Sequence, residues 1–313
     1  MGAYLLRRVL LILPVLFFVS FIVFTLSYYM PGDPARLLMG QSADEETLAL
    51  KRAELGLDRP FLVQYGSYLG KLAQGDLGQS YAKKGKLVGT IVMDSFAVTA
   101  RLAVMATLFS ILFGISAGVV AAVRPYSWLD YGSMLLALLG VSLPVFYLGF
   151  LLIVFVARNV PGLQTAGFNE LTIWTQIKSL LLPSIALGAL STAIVARLTR
   201  STMLEVLSQD FVRTARAKGL SEKIVVLKHA LRNAAIPIVT VVGANLGGLL
   251  VGAVLTESVF SLPGLGREVV QAIFQRDREL IAGGVLFMSV IFVVVNLLVD
   301  LTYAYFDPRV RLE

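Results

Sequence analysis

The residues able to do chemistry in this chain are few, and most are gathered in one place. The stretch "RTARAKGLSEKIVVLKHALRNAAIPIV", Arg213 to Val239, holds Arg213, Arg216, Lys218, Lys223, Lys228, Arg232 and the only histidine, His229. One histidine and no cysteine cannot assemble an ordinary transition-metal or thiolate centre, so no metal ligands and no catalytic residues are assigned. His229 reads as a structural or docking residue. No GxxxxGK[ST] loop occurs, so the chain carries no phosphate cradle of its own, and any ATP would be hydrolysed by a partner. What the cluster can do is bind, through six cations set against Glu205, Asp210 and Glu222.

The elements that position this cluster are apolar. Of 313 residues 57% are hydrophobic and 15% charged, with mean hydropathy +0.79, against about 25% charged in an average soluble domain. Uncharged runs at Val9–Tyr29, Leu102–Val123, Gly132–Ala157, Leu180–Ala196, Ile236–Thr256 and Leu280–Val299 are each long enough to cross a hydrocarbon core of about 30 Å as a helix. Six spans put both termini on one side. Arg7, Arg8, Arg309 and Arg311 mark that side as cytoplasmic, which places the basic loop there too. The first span is followed by "MPGDPARLL" with no small-x-small cleavage site, so it reads as an uncleaved anchor.

The spans lack what an ion-coupled carrier needs. Arg101, Arg197, Glu257 and Asp300 fall at predicted span ends, and the interior offers only amides and hydroxyls such as Asn245, Asn296, Thr107 and Ser142. Asn245 and Ser142 are the candidate pathway residues. Small residues one turn apart, Gly114/Gly118, Gly243/Gly247 and Gly248/Gly252, suit close helix packing within the subunit. Pro144 lies in mid-span and predicts a kink, whereas Pro183 and Pro237 read as span entrances.

Between spans four and five, Leu204, Leu207, Phe211 and Ala215 recur at helical spacing, with Val206 and Val212 beside them, predicting one amphipathic helix over Met203–Leu220. Gly219 breaks it and Ser221–Glu222 starts another helix. Physics alone leaves a helix on anionic headgroups, a topology determinant and a protein-docking helix all open. Nucleic acid is not a partner, because the cations alternate with apolar packing residues and no aromatic platform accompanies them.

The loop resembles the cytoplasmic signature of permease subunits of binding-protein-dependent ABC importers. Gly219 stands at the motif's glycine, Arg213-Thr214-Ala215 at its opening triplet and Ile236-Pro237 at the membrane re-entry. Arg213 replaces the general motif's glutamate, and "DFVRTARAKGL" is similar to the version in the dipeptide, oligopeptide and nickel branch. "LGLDRPFLVQYGSYL", "GDLGQSY", "SLPVFYLGF", "TESVFSLPGLGREVV" and "FDPRVR" resemble that branch in its order, as does "MPGDPARLL". The resemblance implies an all-α polytopic membrane protein with six transmembrane helices, like a type I ABC importer permease, in a bacterial or archaeal plasma or inner membrane.

It implies these parts: 1–29 as N-terminal end and first span, 30–97 as an external cap, and 98–313 as a five-helix core with a coupling loop at 201–235. It further implies that Phe211, Arg213, Thr214, Ala215, Arg216, Lys218 and Gly219 contact an ATPase. The implied partners are a second homologous permease, two cytoplasmic ATPases bearing ATP and magnesium, an external solute-binding protein and the lipid bilayer. The implied cargo is a dipeptide, oligopeptide or glutathione-like tripeptide, with nickel or a metal chelate as the alternative. An ATPase-independent channel or scaffold is the reading from a different class. In the cap, Phe61, Leu62, Tyr65, Tyr68 and Leu69 form a predicted apolar helical face that needs a partner.

Overall fold

The structure is a computed structural model that describes the backbone of residues 2–40, 43–83 and 85–306, and the side chains from residue 10 to 299 within those ranges. The basic groups of Arg7, Arg8, Arg309 and Arg311, and the carboxylate of Asp300, lie outside the described residues. The described elements are helical: α1 Gly2–Tyr29, α2 Pro34–Met39, α3 Glu45–Glu54, α4 Phe61–Ala73, α5 Val88–Phe109, α6 Ile115–Val123, α7 Trp128–Ser142 and α8 Val145–Leu152. They continue with α9 Ile173–Leu207, α10 Asp210–Ala217, α11 Glu222–Ile224, α12 Leu231–Val259, α13 Leu265–Gln275 and α14 Arg278–Phe306. Wider π turns at Ser110–Gly114 and Val225–Ala230 carry α5 into α6 and α11 into α12. Among the described residues five helices are long and apolar enough to cross a membrane, and a bent pair, α7 with the helix from Val145 to Ala157, makes six when counted as one span.

The chain divides into two compact units. One comprises Met1–Thr99 with Pro263–Val294. Here the aromatic side of α4 has a partner in the first span: Phe61 and Tyr65 stack edge-on or tilted against Phe21, Phe24 and Tyr28, with ring centroids 5.1 to 6.0 Å apart. Tyr68 joins at 5.3 Å from Phe24. Residues 61, 65 and 68 share a helix face, so Leu62 points away and stays exposed, contrary to the face expected from sequence. The short helices are capped by aspartates, Asp33 accepting from the Ala35 N–H and Asp44 from the Thr47 N–H. Asp33 is also clasped by Arg52 at 2.6 and 2.9 Å, tying α2 to α3. A second core of Val88, Val92, Leu265, Val269 and Leu280 joins the first turn of α5 to α13 and α14. The helix leading to the second span thus begins at Val88, well before the uncharged run starts.

The other unit comprises Ala100–Leu262 with Val295–Glu313. The buried α9 packs against α6, α7, α8 and α12. Small residues make this approach possible: a Cβ on Gly118 would stand 2.5 Å from Thr199 Cβ, and one on Gly114 2.9 Å from Val195. A Cβ on Gly248 or Gly252 would meet open space, so neither glycine serves packing among the described residues. Pro144 does more than kink its span. It forces Leu143 into extended backbone, ends α7 at Ser142 and lets α8 restart at a 109° bend. Pro183 and Pro237 are not at entrances; α9 and α12 extend beyond their apolar runs, leaving both prolines inside continuous helix. Near the start of α7, Asp130 is 2% exposed and receives both Nε and Nη2 of Arg200, each at 2.6 Å.

Candidate functional site

The basic loop folds as two helical pieces around a glycine turn. The amphipathic helix expected over Met203–Leu220 is interrupted: α9 ends at Leu207, Ser208 and Gln209 turn the chain, and α10 restarts at Asp210. Apolar periodicity runs across the break because Val206 serves one packing surface, Val212 and Ala215 another, and Leu207 borders both. Val206 joins Met203, Val226, Ala230 and Ala234 in the core beneath the loop. Val212 and Ala215 are buried against Val225, with Leu207 beside them. The most apolar side of α10, Ala215 included, is therefore packed against the chain's own Val225.

What remains outward is a different surface. Phe211, Thr214 and Lys218 lie at i, i+3 and i+7 on one exposed face, with Phe211 38% exposed. Arg213 and Arg216 lie on the next face, but their situations differ. Arg216 donates two hydrogen bonds to Glu222, at 2.6 and 3.1 Å, closing the turn from α10 to α11. The hydrogen bonds to Glu222 raise the Arg216 guanidinium above its ordinary value, against the opposing effect of burial, so it remains cationic. Arg213 has only a 3.4 Å contact to Asp210, both groups being well exposed, and such a pair contributes about 0 to 1 kcal/mol. Its charge is available to a partner. Gly219 sits in the turn with φ +77, its N–H donating to the Arg216 carbonyl at 2.9 Å. Thr214 returns its hydroxyl to the Asp210 carbonyl, and half-buried His229 stands in the π turn leading to α12.

The two candidate pathway residues differ in their free capacity. Ser142 is exposed at the end of α7 and donates its hydroxyl to Leu138 of its own helix, whereas the buried Nδ2 of Asn245 in α12 has no partner among the described residues. Glu257, placed at a span end by sequence, is fully buried. Three long-range contacts had no local signal: Ser80 donates to Asp277, Tyr81 to Glu279 at 2.9 Å, and Lys83 to Glu268. They fasten the 76–87 turn onto α13 and α14. In the sequence these acids register only as the charge balance of a loop.

Residues 110–312 match the family described as the binding-protein-dependent transport system inner membrane component, and residues 1–103 match that family's N-terminal membrane component. The chain is 42% identical to a dipeptide transport system permease protein of Alkalihalophilus pseudofirmus, over 99% of this chain and all of that one. It is also 42% identical to a glutathione transport system permease protein of Escherichia coli K12, over 98% of each. Among solved structures, the inward-facing MetNI methionine ABC transporter aligns with TM-score 0.57 and 19% identity, covering 69% of this chain and 95% of the other. An amino acid ABC transporter with histidines aligns at 0.52 and 16%, covering 69% and 94%. The helical fold, the membrane spans and both family matches make this chain a multi-pass member of the family of inner membrane permease components of binding-protein-dependent transport systems.

Proposed function

We propose that this chain forms half of the translocation pathway of an ATP-driven peptide importer and that α10 with the Gly219 turn is its ATPase-docking element. The observation that carries the docking role is the division of labour on α10. Val212 and Ala215 anchor the helix to the subunit's own core, leaving Phe211, Arg213 and Lys218 as a rigidly backed apolar and cationic face. A helix so anchored moves with α9 and α12 as a body, which is what transmission of ATPase closure into the membrane requires. In this reading the loop and both termini are cytoplasmic, and ATP and magnesium reside on two partner ATPases. A second homologous permease completes the pathway, and a solute-binding protein delivers cargo from outside. The relatives named as dipeptide and glutathione permeases support peptides, rather than nickel, as the cargo.

The test is co-purification and uptake. In membranes co-expressing the partner subunits, Phe211→Asp and Arg213→Glu are expected to cut ATPase co-purification at least tenfold while the chain remains inserted. Lys228→Glu, outside α10, should leave it intact. Wild-type vesicles with the cognate binding protein should accumulate labelled di- or tripeptide with ATP. Full ATPase retention in both α10 variants would overturn the docking assignment, and accumulation of nickel without peptide would overturn the cargo.

A further inference from the structure

The chain has two tryptophans, and both are exposed: Trp128, the first residue of α7, at 91%, and Trp174, the second residue of α9, at 64%. Water alone suits an indole poorly, because its ring is apolar while its N–H needs an acceptor. Both residues belong to the second unit, where α9 serves as a ruler. α7 runs antiparallel to it: Asp130 grips Arg200, and ten residues on, a Cβ on Gly140 would lie 3.0 Å from the Ala189 carbonyl oxygen. Trp128 therefore stands near the level of Arg200. From there back to Trp174 the helix rises about 39 Å, close to the about 40 to 45 Å of a bilayer with its headgroups. Between Lys178 and Arg197, α9 carries no charge over about 28 Å, against about 30 Å for the hydrocarbon core.

The surroundings of each indole fit such a boundary. From Trp174, exposed Ile177 and Leu181 follow at i+3 and i+7 toward mid-span, and Lys178 Nζ lies 5.4 Å from the Trp174 ring centroid. From Trp128, exposed Tyr131, Leu135 and Leu138 follow at i+3, i+7 and i+10, and exposed Arg124 lies in the turn before it. Each tryptophan thus has apolar side chains on its inward side and a cation close by. The turn that presents Trp128 is firmly held. Tyr126, also exposed, has φ +62, a conformation that an L-residue adopts only when something holds it, and its N–H donates to Asp130 Oδ2 at 3.0 Å. Ser127 caps α7 by accepting from the Asp130 N–H at 3.3 Å. The carboxylate that grips Arg200 therefore also fixes the turn, and with it the height of Trp128 along α9.

We propose that Trp128 and Trp174 are interfacial anchors, each seated in the headgroup layer of one leaflet, and that together they set the depth of the second unit in the bilayer. Lipid is the occupant that the spacing selects: a subunit covering either residue has no reason to place the two a bilayer apart, and the neighbouring cations complement lipid phosphates. α9 continues about 10 Å past Arg200, so α10 begins beyond that layer.

The test is fluorescence of the full chain in lipid nanodiscs, where Trp128→Phe and Trp174→Phe each leave one tryptophan. Lipids brominated near the carbonyls are expected to quench each emission about twofold more than lipids brominated near the methyl ends, with the same order in the wild-type chain. Because the chain has no cysteine, Trp128→Cys and Trp174→Cys each take a nitroxide at one site, which reports from within the importer assembled with the proposed partner subunits. Oxygen dissolved in lipid and an aqueous nickel chelate should relax each label to a comparable extent, as at a membrane–water boundary. Emission insensitive to both brominated lipids, or quenched more by the deep one, overturns the proposal. So does a label shielded from both reagents once the partner subunits are present, which makes that position a subunit contact. Neither readout involves cargo or ATP, so the anchors and the transport reading fail separately.

Discussion

Gly219→Val should uncouple ATP hydrolysis from uptake, and its size follows from one dihedral. A Cβ on Gly219 would meet nothing within 4 Å, so crowding contributes no penalty. The penalty is the φ of +77 itself, which costs an L-residue about 1 to 2 kcal/mol, with a β-branched side chain at the upper end. Against it stand the packing of Val212 and Ala215 on Val225, the Arg216–Glu222 pair across the turn, whose side chains are 44% and 54% exposed, and the turn's own backbone hydrogen bonds. An ion pair so exposed supplies about 0 to 1 kcal/mol and does not hold the strained turn by itself. The equilibrium between the turn's native conformer and its alternatives is therefore expected to shift against the native one by a factor of about 5 to 30.

The assay is peptide taken up per ATP hydrolysed, in proteoliposomes holding the chain with the proposed second permease, ATPases and binding protein. Gly219→Val should lower that ratio, by at most the same factor of about 5 to 30, at an unchanged amount of inserted chain. Gly219→Asn should lower it much less, because asparagine tolerates the left-handed region. Equal ratios for valine and asparagine, whether both normal or both low, would show that backbone conformation at Gly219 is not what couples the two processes.

Two further outcomes follow from charge placement. Asp130→Asn removes a carboxylate that is 2% exposed from the forked grip of Arg200; since Arg200 is a quarter exposed, the loss should fall near the low end of the about 3 to 5 kcal/mol for a broken buried pair. An unchanged thermal midpoint in detergent would contradict this. At Asp33, burial acts to raise the carboxyl, but the hydrogen bonds from Arg52 and the Ala35 N–H outweigh it and hold it below the ordinary 3.8. A depressed folded value gives stability that is present above pH 3.8 and lost as pH falls through the lower folded value. Hydrogen exchange in α2 and α3 should accelerate over that interval, and Asp33→Asn should abolish the acid dependence in α2 while α3 keeps the part that Asp44 contributes as its cap.

How much of this was legible in the sequence depends on the range of the interaction. Spans emerge from uninterrupted apolar runs, and the Gly219 turn from a glycine between two helical patterns, because both signals are local. The break at Ser208–Gln209 is hidden, since α9 and α10 each bury apolar residues and the two stripes happen to continue in phase. Leu62 and Tyr65 read alike as apolar positions of α4, yet only contact with Phe21 and Phe24 decides which one is buried. The 76–87 fastening joins residues almost two hundred positions apart and leaves no periodic trace.

The same limit explains the puzzle of Arg213. By spacing, Arg213 and Arg216 are equivalent cations on one helix face, and both qualify to meet an acidic partner. The turn at Gly219 brings Glu222 back to Arg216 and leaves Arg213 with a weak neighbour in Asp210. One arginine thus holds the shape of the proposed docking element while the other carries its charge outward. Reversing Arg213 changes what a partner meets; reversing Arg216 changes the element itself. A residue of the opposite sign at the general motif's first position is accordingly no obstacle to docking, provided the surface it meets is acidic.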